Sequence, residues 1–573
     1  MIDFSLLKKN LKKDFSLHKK IKIALLGDSA TQLLIQALRG AGFEFGWDLQ
    51  IWEADYNQID RQIMDPQSAL YEFNPEIVII FQSAHKLLGK FNKLELSQQP
   101  NLAASENAHI VTLYALIQER LHCPVILYNY NEIDDAIFGN FATKTNRSFI
   151  FQLRTLNYQL MLLAAEKTNL FLCDIASIQN QLGKNTFFTP ALYINTEMVL
   201  SLDALAWVAY KTLAIINALQ GKLKKCLIID LDNTIWGGII GDDGLENIQL
   251  GSLGIGKAFT EFQYWIKQLK NRGIIIAVCS KNTETVAKEP FIKHPDMVLH
   301  LEDIAVFVAN WDNKADNIRK IQSILNIGFD SMVFLDDNPF ERNIVRENIP
   351  DICVPELPED PAAYLEYLYT LSLFETVSIS AEDAERTKLY QTEAERVTLQ
   401  QKFTNETDFL KSLEMISLVE PFNAFNTPRV AQLSQRSNQF NLRTIRYTEQ
   451  DIVSLSGMSN YFTFSFTLDD KFGSNGLIAV VILKKETPDT VFIENWLMSC
   501  RVLKRGMEHF ILNTIVNFAR EKGCLTLKGE YIPTLKNSMV AEHYQNLGFE
   551  EKEGFWYLNL QHYIPKTCFI ANK

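Results

Sequence analysis

The chain has 573 residues, 47% of them hydrophobic, and a formal net charge of -12. This length predicts roughly three to five domains, because a single hydrophobic core stops growing well before it. The acidic balance argues against nucleic acid or an anionic membrane as a partner, because such partners select basic patches. The eight cysteines form no CxxC pairs and no apolar run reaches the length of a membrane span, so we expect a cytoplasmic protein with reduced thiols.

Residues 1–220 predict an α/β domain. Apolar residues 23–26 form a short strand that stops at Gly27, and a helical pattern follows. Strand-like runs at 76–83 and 123–130 alternate with helical segments such as 108–121. Such alternation is typical of a parallel sheet covered by helices.

The segment "LLGDSA" at 25–30 resembles the first block of the SGNH hydrolases. The resemblance implies a flavodoxin-like α/β fold with Ser29 as nucleophile. That family's late Asp-x-x-His pattern has its nearest counterpart at Asp174, where no histidine follows, and a serine without a base is a poor nucleophile. We therefore predict a degenerate domain used for docking, in which Asp28 and Ser29 cap a helix. A base for Ser29 would have to be a histidine that is distant in sequence and that the fold brings close. The candidates are His85, His109 and His122.

Residues 221–375 predict a second α/β domain, whose strands all end in polar side chains. Its apolar strands lie at 226–229, 273–280 and 331–335, with amphipathic helices between them, and Lys314 begins the second helix. The carboxyl ends of parallel strands meet at one edge of a sheet, where ligands bind. The polar residues expected at this edge are Asp230, Asp232, Ser280, Lys281, Asn282, Asp336, Asp337 and Asn338.

This edge predicts a magnesium and phosphate site. Carboxylates gathered around one lysine repel one another unless a hard divalent cation joins them. The ligands are oxygens, with no histidine or thiol set, and this favours Mg²⁺. We expect Asp230 and Asp232 to hold the metal, with Asp336 or Asp337 completing its shell.

A division of labour follows from the chemistry. Asp230 can attack phosphorus and form an aspartyl phosphate, while Asp232 protonates the leaving oxygen and later activates water. Ser280 can donate a hydrogen bond to the phosphoryl group, and Lys314 offsets its charge. In this order the residues resemble the motifs of the haloacid dehalogenase superfamily, which implies a Rossmann-like parallel sheet.

Four strings narrow the resemblance to the FkbH-like family. They are "DLDNTIWGGIIGDDG", "VCSKN", "WDNKADNI" and "FLDDNPFERN", and "SNQFNLRTIRYTEQDI" follows at 437–452. The resemblance covers most of residues 220–565. It implies an enzyme that binds 1,3-bisphosphoglycerate, a small phosphorylated three-carbon substrate, removes its phosphates and passes the glyceryl unit to the phosphopantetheine thiol of an acyl carrier protein. Such proteins supply three-carbon units to polyketide and related assembly lines.

Cys279, directly before Ser280, permits two interpretations. As a thiolate it would take the glyceryl group as a thioester and hand it to the carrier protein. As a strand residue next to a site residue, it would instead point into the core.

The remaining sequence predicts a helical connection at 376–440 and an α+β domain at 441–573 that resembles the GNAT acyltransferases. Segment 499–511 stands in the place of that family's pyrophosphate-binding turn, where Arg501 and Gly506 match and Lys504 replaces a glycine. The resemblance implies phosphate binding at a helix N-terminus. The alternative is a binding surface for a phosphopantetheine arm.

Two functions from different classes remain open at this point. The chain is either a glyceryl transferase with phosphatase activity, or a simple phosphatase of a small phosphate ester whose flanking domains bind partners. A third possibility, an acetyltransferase with an inactive phosphatase, is disfavoured because Asp230, Asp232, Lys314 and Asp337 are all present.

Overall fold

The strand-forming runs of the sequence become three sheets in the computed structural model, which describes residues 3–379, 383, 385–400, 402–534 and 536–573. The chain divides into two units, Met1–Ala218 and Leu219–Lys573. The division lies close to the boundary predicted at residue 220. The middle and C-terminal regions of the sequence both belong to the second unit.

The first unit is built on a sheet whose neighbouring strands are all parallel, as the sequence predicted. Its strands are β1 (Lys19–Gly27), β2 (Trp47–Glu53), β3 (Ile77–Phe81), β4 (Val125–Tyr128) and β5 (Leu170–Cys173). Their order, β2-β1-β3-β4-β5, is the flavodoxin-like order. The helices are α1 (Phe4–Asn10), α2 (Gln32–Glu44), α3 (Ile59–Met64), α4 (Ala69–Phe73), α5 (Ala84–Phe91), α6 (Leu102–Leu121), α7 (Phe149–Glu166), α8 (Ile175–Leu182), α9 (Lys184–Phe187), α10 (Pro190–Thr196) and α11 (Leu202–Leu219).

Helix α11 is the one helix in the described residues with the length and apolarity of a membrane span. However, 61% of it is buried inside the protein. Thr212 shares a hydrogen bond of 2.7 Å with the Tyr128 hydroxyl on β4, and Asn217 accepts one from the Trp47 indole. These contacts are those of a core helix packed on a sheet.

Close packing of α1 on α2 depends on Gly40, and we expect Gly40→Ala to destabilise the first unit. A Cβ at this position would lie 2.2 Å from the Leu7 carbonyl oxygen, so α1 must move, at a cost of about 1–3 kcal/mol. Gly89→Ala on α5 is the matched control, because nothing lies within 4 Å of its Cβ and alanine favours a helix by about 1 kcal/mol. Hydrogen exchange of α1, α2 and α5, read by mass spectrometry, measures both effects. Unchanged exchange in Gly40→Ala would contradict this packing.

The middle region forms a second parallel sheet, of order β8-β7-β6-β9. The predicted strands are confirmed as β6 (Cys226–Ile229), β7 (Ile275–Ser280) and β9 (Met332–Leu335), and the structure adds β8 (Ile304–Ala309) at the edge. The helices are α12 (Ile240–Asp243), α13 (Gly254–Asn271), α14 (Glu284–Lys293), α15 (Lys314–Leu325), α16 (Pro339–Asn348) and α17 (Tyr364–Thr370).

The rest of the second unit forms a mixed sheet of order β16-β17-β15-β14-β13-β12-β10-β18, with β11 also paired to β12. Its strands are β10 (Met415–Ser417), β11 (Val419–Glu420), β12 (Tyr461–Asp470), β13 (Gly473–Lys485), β14 (Thr490–Met498), β15 (Thr526–Gly529), β16 (Glu550–Lys552), β17 (Phe555–Asn559) and β18 (Ile570–Asn572). Its helices are α18 (Arg386–Gln400), α19 (Glu406–Ser412), α20 (Thr427–Arg436), α21 (Glu449–Gly457), α22 (Met507–Glu521) and α23 (His543–Leu547). The region 376–440, predicted to be a helical connection, therefore also contributes β10 and β11, and residues 380–382, 384 and 401 lie outside the described part.

His543 makes the stability of this second unit depend on pH. Its ring is buried 4.6 Å from Trp496 and 5.0 Å from Phe440, and burial lowers its pKa to about 3. The unfolded chain has an ordinary histidine pKa of about 6.5, so stability is complete above that value and is lost as the pH falls. We expect about 2 kcal/mol less stability at pH 5 than at pH 7, measured by urea unfolding.

His543→Phe should flatten this pH dependence, because phenylalanine keeps the aromatic packing without a titrating group. His562→Gln, at an exposed position, is the control and should leave the pH dependence intact. An equally steep pH dependence in His543→Phe would show that another group is responsible.

Candidate active site

Three carboxylates converge where β6 and β9 end. Asp230 directly follows β6, and Asp336 and Asp337 follow β9; each offers an oxygen, and these oxygens lie within 4.8 Å of one another. The strands are neighbours in register, with Ile229 beside Leu335. The parallel pairing of two apolar runs therefore brings together acids that are about a hundred positions apart.

Lys314, the first residue of α15, forms ion pairs with two of these carboxylates. Its Nζ lies 3.0 Å from Asp230 Oδ1 and forms an ion pair with Asp336. The lysine is only 3% exposed. Burial by itself would lower its pKa, but Asp230 and Asp336 raise the pKa of Lys314 above its usual range, so it stays protonated.

The group as a whole suits a hard divalent cation. Burial and the neighbouring Asp230 raise the pKa of both Asp336 and Asp337, because one lysine does not offset three carboxylates, two of them buried and one partly buried. A divalent ion would supply the missing positive charge, and an all-oxygen donor set favours magnesium or calcium over softer metals. The residues that would hold it are Asp230, Asp336 and Asp337.

Asp232 was predicted to bind the metal, but in the structure its carboxylate contacts hydrogen-bond donors of the protein. Its carboxylate accepts hydrogen bonds from the Trp236 indole at 2.9 Å, the Ile240 amide at 3.0 Å and the Asn282 amide group at 2.8 Å. It lies outside the converging group found among the described residues. Burial raises the pKa of Asp232, which suits a carboxyl group that carries a proton.

The loop after β6 is folded around this aspartate. Trp236 is fully buried while its indole holds the Asp232 carboxylate. Gly238 has φ +95° and donates its amide to Asn233 Oδ1 at 2.9 Å. The Trp-Gly-Gly string that marked the family resemblance is thus the part of the loop that orients Asp232.

Ser280 ends β7 at the same edge and is joined to Asp232 through Asn282. The Asn282 amide group donates to Ser280 Oγ at 3.3 Å as well as to Asp232. Lys281, next to it, forms an ion pair of 2.6 Å with Glu341. The structure therefore brings Asp230, Asp232, Ser280, Lys314 and the aspartate pair to one sheet edge.

Sequence reasoning missed two residues that hold this site in shape. Thr234 Oγ1 donates to Asp337 Oδ1 at 3.3 Å and accepts from the Asp337 amide. Arg342 donates to the backbone carbonyls of Asp336 at 2.8 Å and Asp337 at 2.7 Å. Contacts to backbone atoms produce no recognisable pattern of residue types in the sequence, so these roles could not be predicted. Both residues nevertheless fall inside the strings quoted above.

Cys279 is a core residue in the structure and does not lie in the site, where a catalytic role was predicted for it. It is fully buried in the apolar cluster that includes Ile228 and Ile318, and its thiol lies 3.8 Å from the Lys314 carbonyl oxygen. Burial raises the pKa of the thiol, which opposes the thiolate that a covalent relay needs. The alternation of side chains along β7 is the reason, since Ser280 faces the site.

The turn predicted to bind phosphates contacts two carboxylates from other elements of the structure. Gly506 has φ +77° and precedes α22, as the resemblance implied. However, Arg505 in the same turn forms ion pairs with Glu393 of α18 and with Asp470. Arg501 lies under Tyr390, with its guanidinium 6.0 Å from the ring. The Arg505 guanidinium group is therefore engaged by protein carboxylates.

Asp28 and Ser29 do not cap a helix, contrary to the prediction. Helix α2 begins at Gln32, and the Asp28 carboxylate accepts instead from the Ser83 amide at 2.9 Å. Burial raises the pKa of Asp28 to about 7. Ser29 Oγ is buried and has no hydrogen-bond partner among the described residues, so no imidazole contacts it there. His85 stacks on Phe188 at 4.3 Å.

Comparison with known proteins places the chain in a family. Residues 22–217 match the family model described as FkbH, N-terminal domain, and no curated protein matched. Among solved structures, the chain is similar to the N-terminal part of the protein BF1531 from Bacteroides fragilis, which contains a phosphatase domain and was crystallised in complex with Mg. The identity is 58%, the similarity covers 66% of this chain and 100% of that chain, and the TM-score is 0.64.

More distant matches include the ribosomal-protein-S18-alanine N-acetyltransferase from Escherichia coli, which is 16% identical. That similarity covers 25% of this chain and 94% of that chain, with a TM-score of 0.21. The GNAT domain of PAT from S. lividans is also 16% identical, with 25% and 89% covered and a TM-score of 0.20. Because the chain is 58% identical to the Bacteroides fragilis protein over that whole structure and matches the FkbH N-terminal model, it belongs to the FkbH-like family.

Proposed function

We propose that the second unit is a Mg²⁺-dependent phosphatase of the haloacid dehalogenase type. The observation that carries the proposal is the Lys314 ammonium group shared by Asp230 and Asp336 within a cluster of carboxylates at the ends of β6 and β9. The similarity to a phosphatase domain crystallised with Mg supports both the reaction and the metal. When bound, the cation offsets negative charge on the carboxylates and on the phosphoryl group.

In the proposed mechanism, a carboxylate oxygen of Asp230 attacks phosphorus and the bond from phosphorus to the leaving oxygen breaks. Asp232 gives its proton to that oxygen; the raised pKa of this buried carboxyl supports the role. Asp232 then takes a proton from water, whose oxygen attacks the phosphorus and releases phosphate from Asp230. Ser280 and Lys314 hold the phosphoryl oxygens throughout.

The proposed substrate is 1,3-bisphosphoglycerate, and the proposed acceptor is the phosphopantetheine thiol of an acyl carrier protein in polyketide or related assembly, in the cytoplasm. The thiol sulfur would bond to the acyl carbon as the bond from that carbon to the phosphate oxygen breaks, and inorganic phosphate would leave with the thiol proton. The Asp230 site would then hydrolyse the remaining phosphate ester. Membership in the FkbH-like family supports this choice. The buried position of Cys279 supports a direct transfer without a protein thioester.

The same position of Cys279 also favours a second candidate, a simple phosphatase of a small phosphate ester with flanking interaction domains. Such an enzyme needs no thiol in its site. The two candidates differ in whether a carrier protein becomes acylated.

Intact mass of a phosphopantetheinylated carrier protein tests the proposal, after incubation with the chain, Mg²⁺ and 1,3-bisphosphoglycerate. A glyceryl mass increment that is absent with Asp230→Ala would support transfer coupled to the phosphatase site. Phosphate release without acylation would leave the simple phosphatase. No phosphate release at all would overturn the first candidate and exclude 1,3-bisphosphoglycerate as a substrate of the second.

Cys279→Ala should release phosphate and load the carrier at wild-type rates, because its thiol contacts the core and not the site. Cys353→Ala, at a partly buried position outside the site, is the matched control. Loss of loading in Cys279→Ala alone, with phosphate release retained, would restore the covalent relay through this thiol.

A further inference from the structure

A cavity of about 480 Å³ lies in the second unit at the opposite end of the strands from Asp230. Lys225 precedes β6, Ile275 begins β7 and Ser331 precedes β9, and all three line it. The other walls come from α18, from α20 and from the turn after β14. The cavity is therefore separate from the proposed phosphatase site.

The cavity is strongly basic, although the chain as a whole is acidic. Among the described residues that line it, six side chains are cationic and two are carboxylates, Asp330 and Asp351. Asp330 is already paired with Lys536, and Asp351 is exposed to solvent. The cationic residues are Lys225, Arg386, Arg429, Arg436, Arg501 and Lys536.

Two of these cationic side chains are held by the same buried acid. Arg386 and Arg436 both contact the buried Asp383 carboxylate at 2.5 Å, so two guanidinium groups share one negative charge. The Nε of Arg436 is buried and has no hydrogen-bond partner among the described residues. Burial and the nearby Arg386 lower the pKa of Arg436 to about 10, as expected for a cation that lacks a full counter-charge.

The remaining walls suit the organic part of a ligand. Ile275, Leu433 and Tyr390 offer apolar and aromatic surface. Gln439, also at the cavity, has a buried carbonyl oxygen without a hydrogen-bond partner in the described part of the chain. This oxygen could accept a hydrogen bond from a hydroxyl or amide group.

We propose that this cavity binds a phosphate monoester, with the arginine and lysine side chains around its dianionic phosphate and its organic group against Tyr390 and Leu433. Arginine guanidinium groups match phosphate oxygens with paired hydrogen bonds, and a dianionic phosphate can contact several cationic side chains at once better than a carboxylate can. The site does not depend on the phosphatase reaction. Its ligand is either a small phosphorylated metabolite or the phosphate of a phosphopantetheine arm.

Isothermal titration calorimetry tests the proposal on the full chain carrying Asp230→Asn, in EDTA to prevent turnover. The probes are inorganic phosphate, 3-phosphoglycerate and 4′-phosphopantetheine, with pantetheine as the control that lacks the phosphate. Stronger binding of 3-phosphoglycerate than of 4′-phosphopantetheine would identify a small metabolite, and the reverse order would identify the arm. Pantetheine should not bind.

Second substitutions in the Asp230→Asn chain show whether the measured heat of binding comes from the cavity. Arg436→Gln should weaken binding by about tenfold or more, since it removes a charge-assisted hydrogen bond, and Lys536→Gln, at the partly exposed edge of the cavity, should weaken it severalfold. Arg319→Gln removes the same charge from an exposed position on α15 and should have no effect. Ser280→Ala should leave the cavity binding unchanged.

Unchanged affinity in Lys536→Gln and Arg436→Gln would overturn the proposal, as would the absence of binding by all three phosphates. Loss of binding in Ser280→Ala alone would assign the heat to the phosphatase site instead. If Arg436→Gln lacks a cooperative thermal transition because Asp383 loses its partner, Lys536→Gln decides the outcome.

Discussion

Asp230→Asn is expected to lower the rate of phosphate release by more than about 10⁴-fold, because the amide cannot act as the nucleophile. Its carboxylate lies in the converging group at the end of β6 and is one of the two bound by Lys314. Phosphate release from 3-phosphoglycerate and from 1,3-bisphosphoglycerate in Mg²⁺, measured by a molybdate assay, reports the effect.

The matched control is Asp242→Asn, the same change at an exposed position on α12, in the loop that follows β6. It should keep wild-type activity. Thermal unfolding must show that Asp230→Asn is folded. Substantial phosphate release by a folded Asp230→Asn protein would contradict the assignment of Asp230 as nucleophile.

Lys314→Met should abolish activity and also destabilise the second unit in the absence of metal. The ammonium group is 3% exposed and contacts two carboxylates, which would lose their counter-charge in the variant. Removing one partner of a buried ion pair costs about 3–5 kcal/mol. Urea unfolding in EDTA measures this loss, and phosphate release in Mg²⁺ measures the activity.

Lys320→Met is the control for this variant, since it removes a lysine from an exposed position of the same helix. It should leave both quantities unchanged. Added Mg²⁺ should recover part of the stability of Lys314→Met, because the cation supplies positive charge to the same carboxylates. Wild-type stability of Lys314→Met in EDTA would show that these carboxylates are not ionised together.

The acidic edge of the middle sheet could be predicted from the sequence because the rule behind it is local. Apolar runs before Asp230 and Asp336 predict buried parallel strands, and the ends of parallel strands meet at one edge. The structure pairs these strands in register. What the local rule leaves open is the direction of each side chain, and for this reason Asp232 was expected on the metal but lies against Trp236 and Asn282.

Cys279 and Ser280 show the same limit within one strand. The sequence offered both as catalytic residues, but adjacent residues of a strand point to opposite faces, so only one of them can face the site. Only the packing of α15 against β7 decides that Cys279 is the core residue, because its thiol lies beside the Lys314 carbonyl.

Contacts over long sequence separations were beyond prediction. Glu393 reaches Arg505 across more than a hundred positions, and Asp383 reaches Arg436. Neither pair forms a periodic pattern, since each depends on how α18 is placed over the rest of the second unit. The basic cavity between these elements was invisible in a chain whose net charge is -12.

The sequence by itself determined three strands of the middle sheet, the acids and lysine of the site, and the family resemblance, because apolar periodicity and short motifs are properties of neighbouring residues. The tertiary structure alone decided which carboxylates converge, which face of β7 holds Cys279, and which arginines surround the cavity. These outcomes depend on distances between elements far apart in the chain, and packing sets those distances.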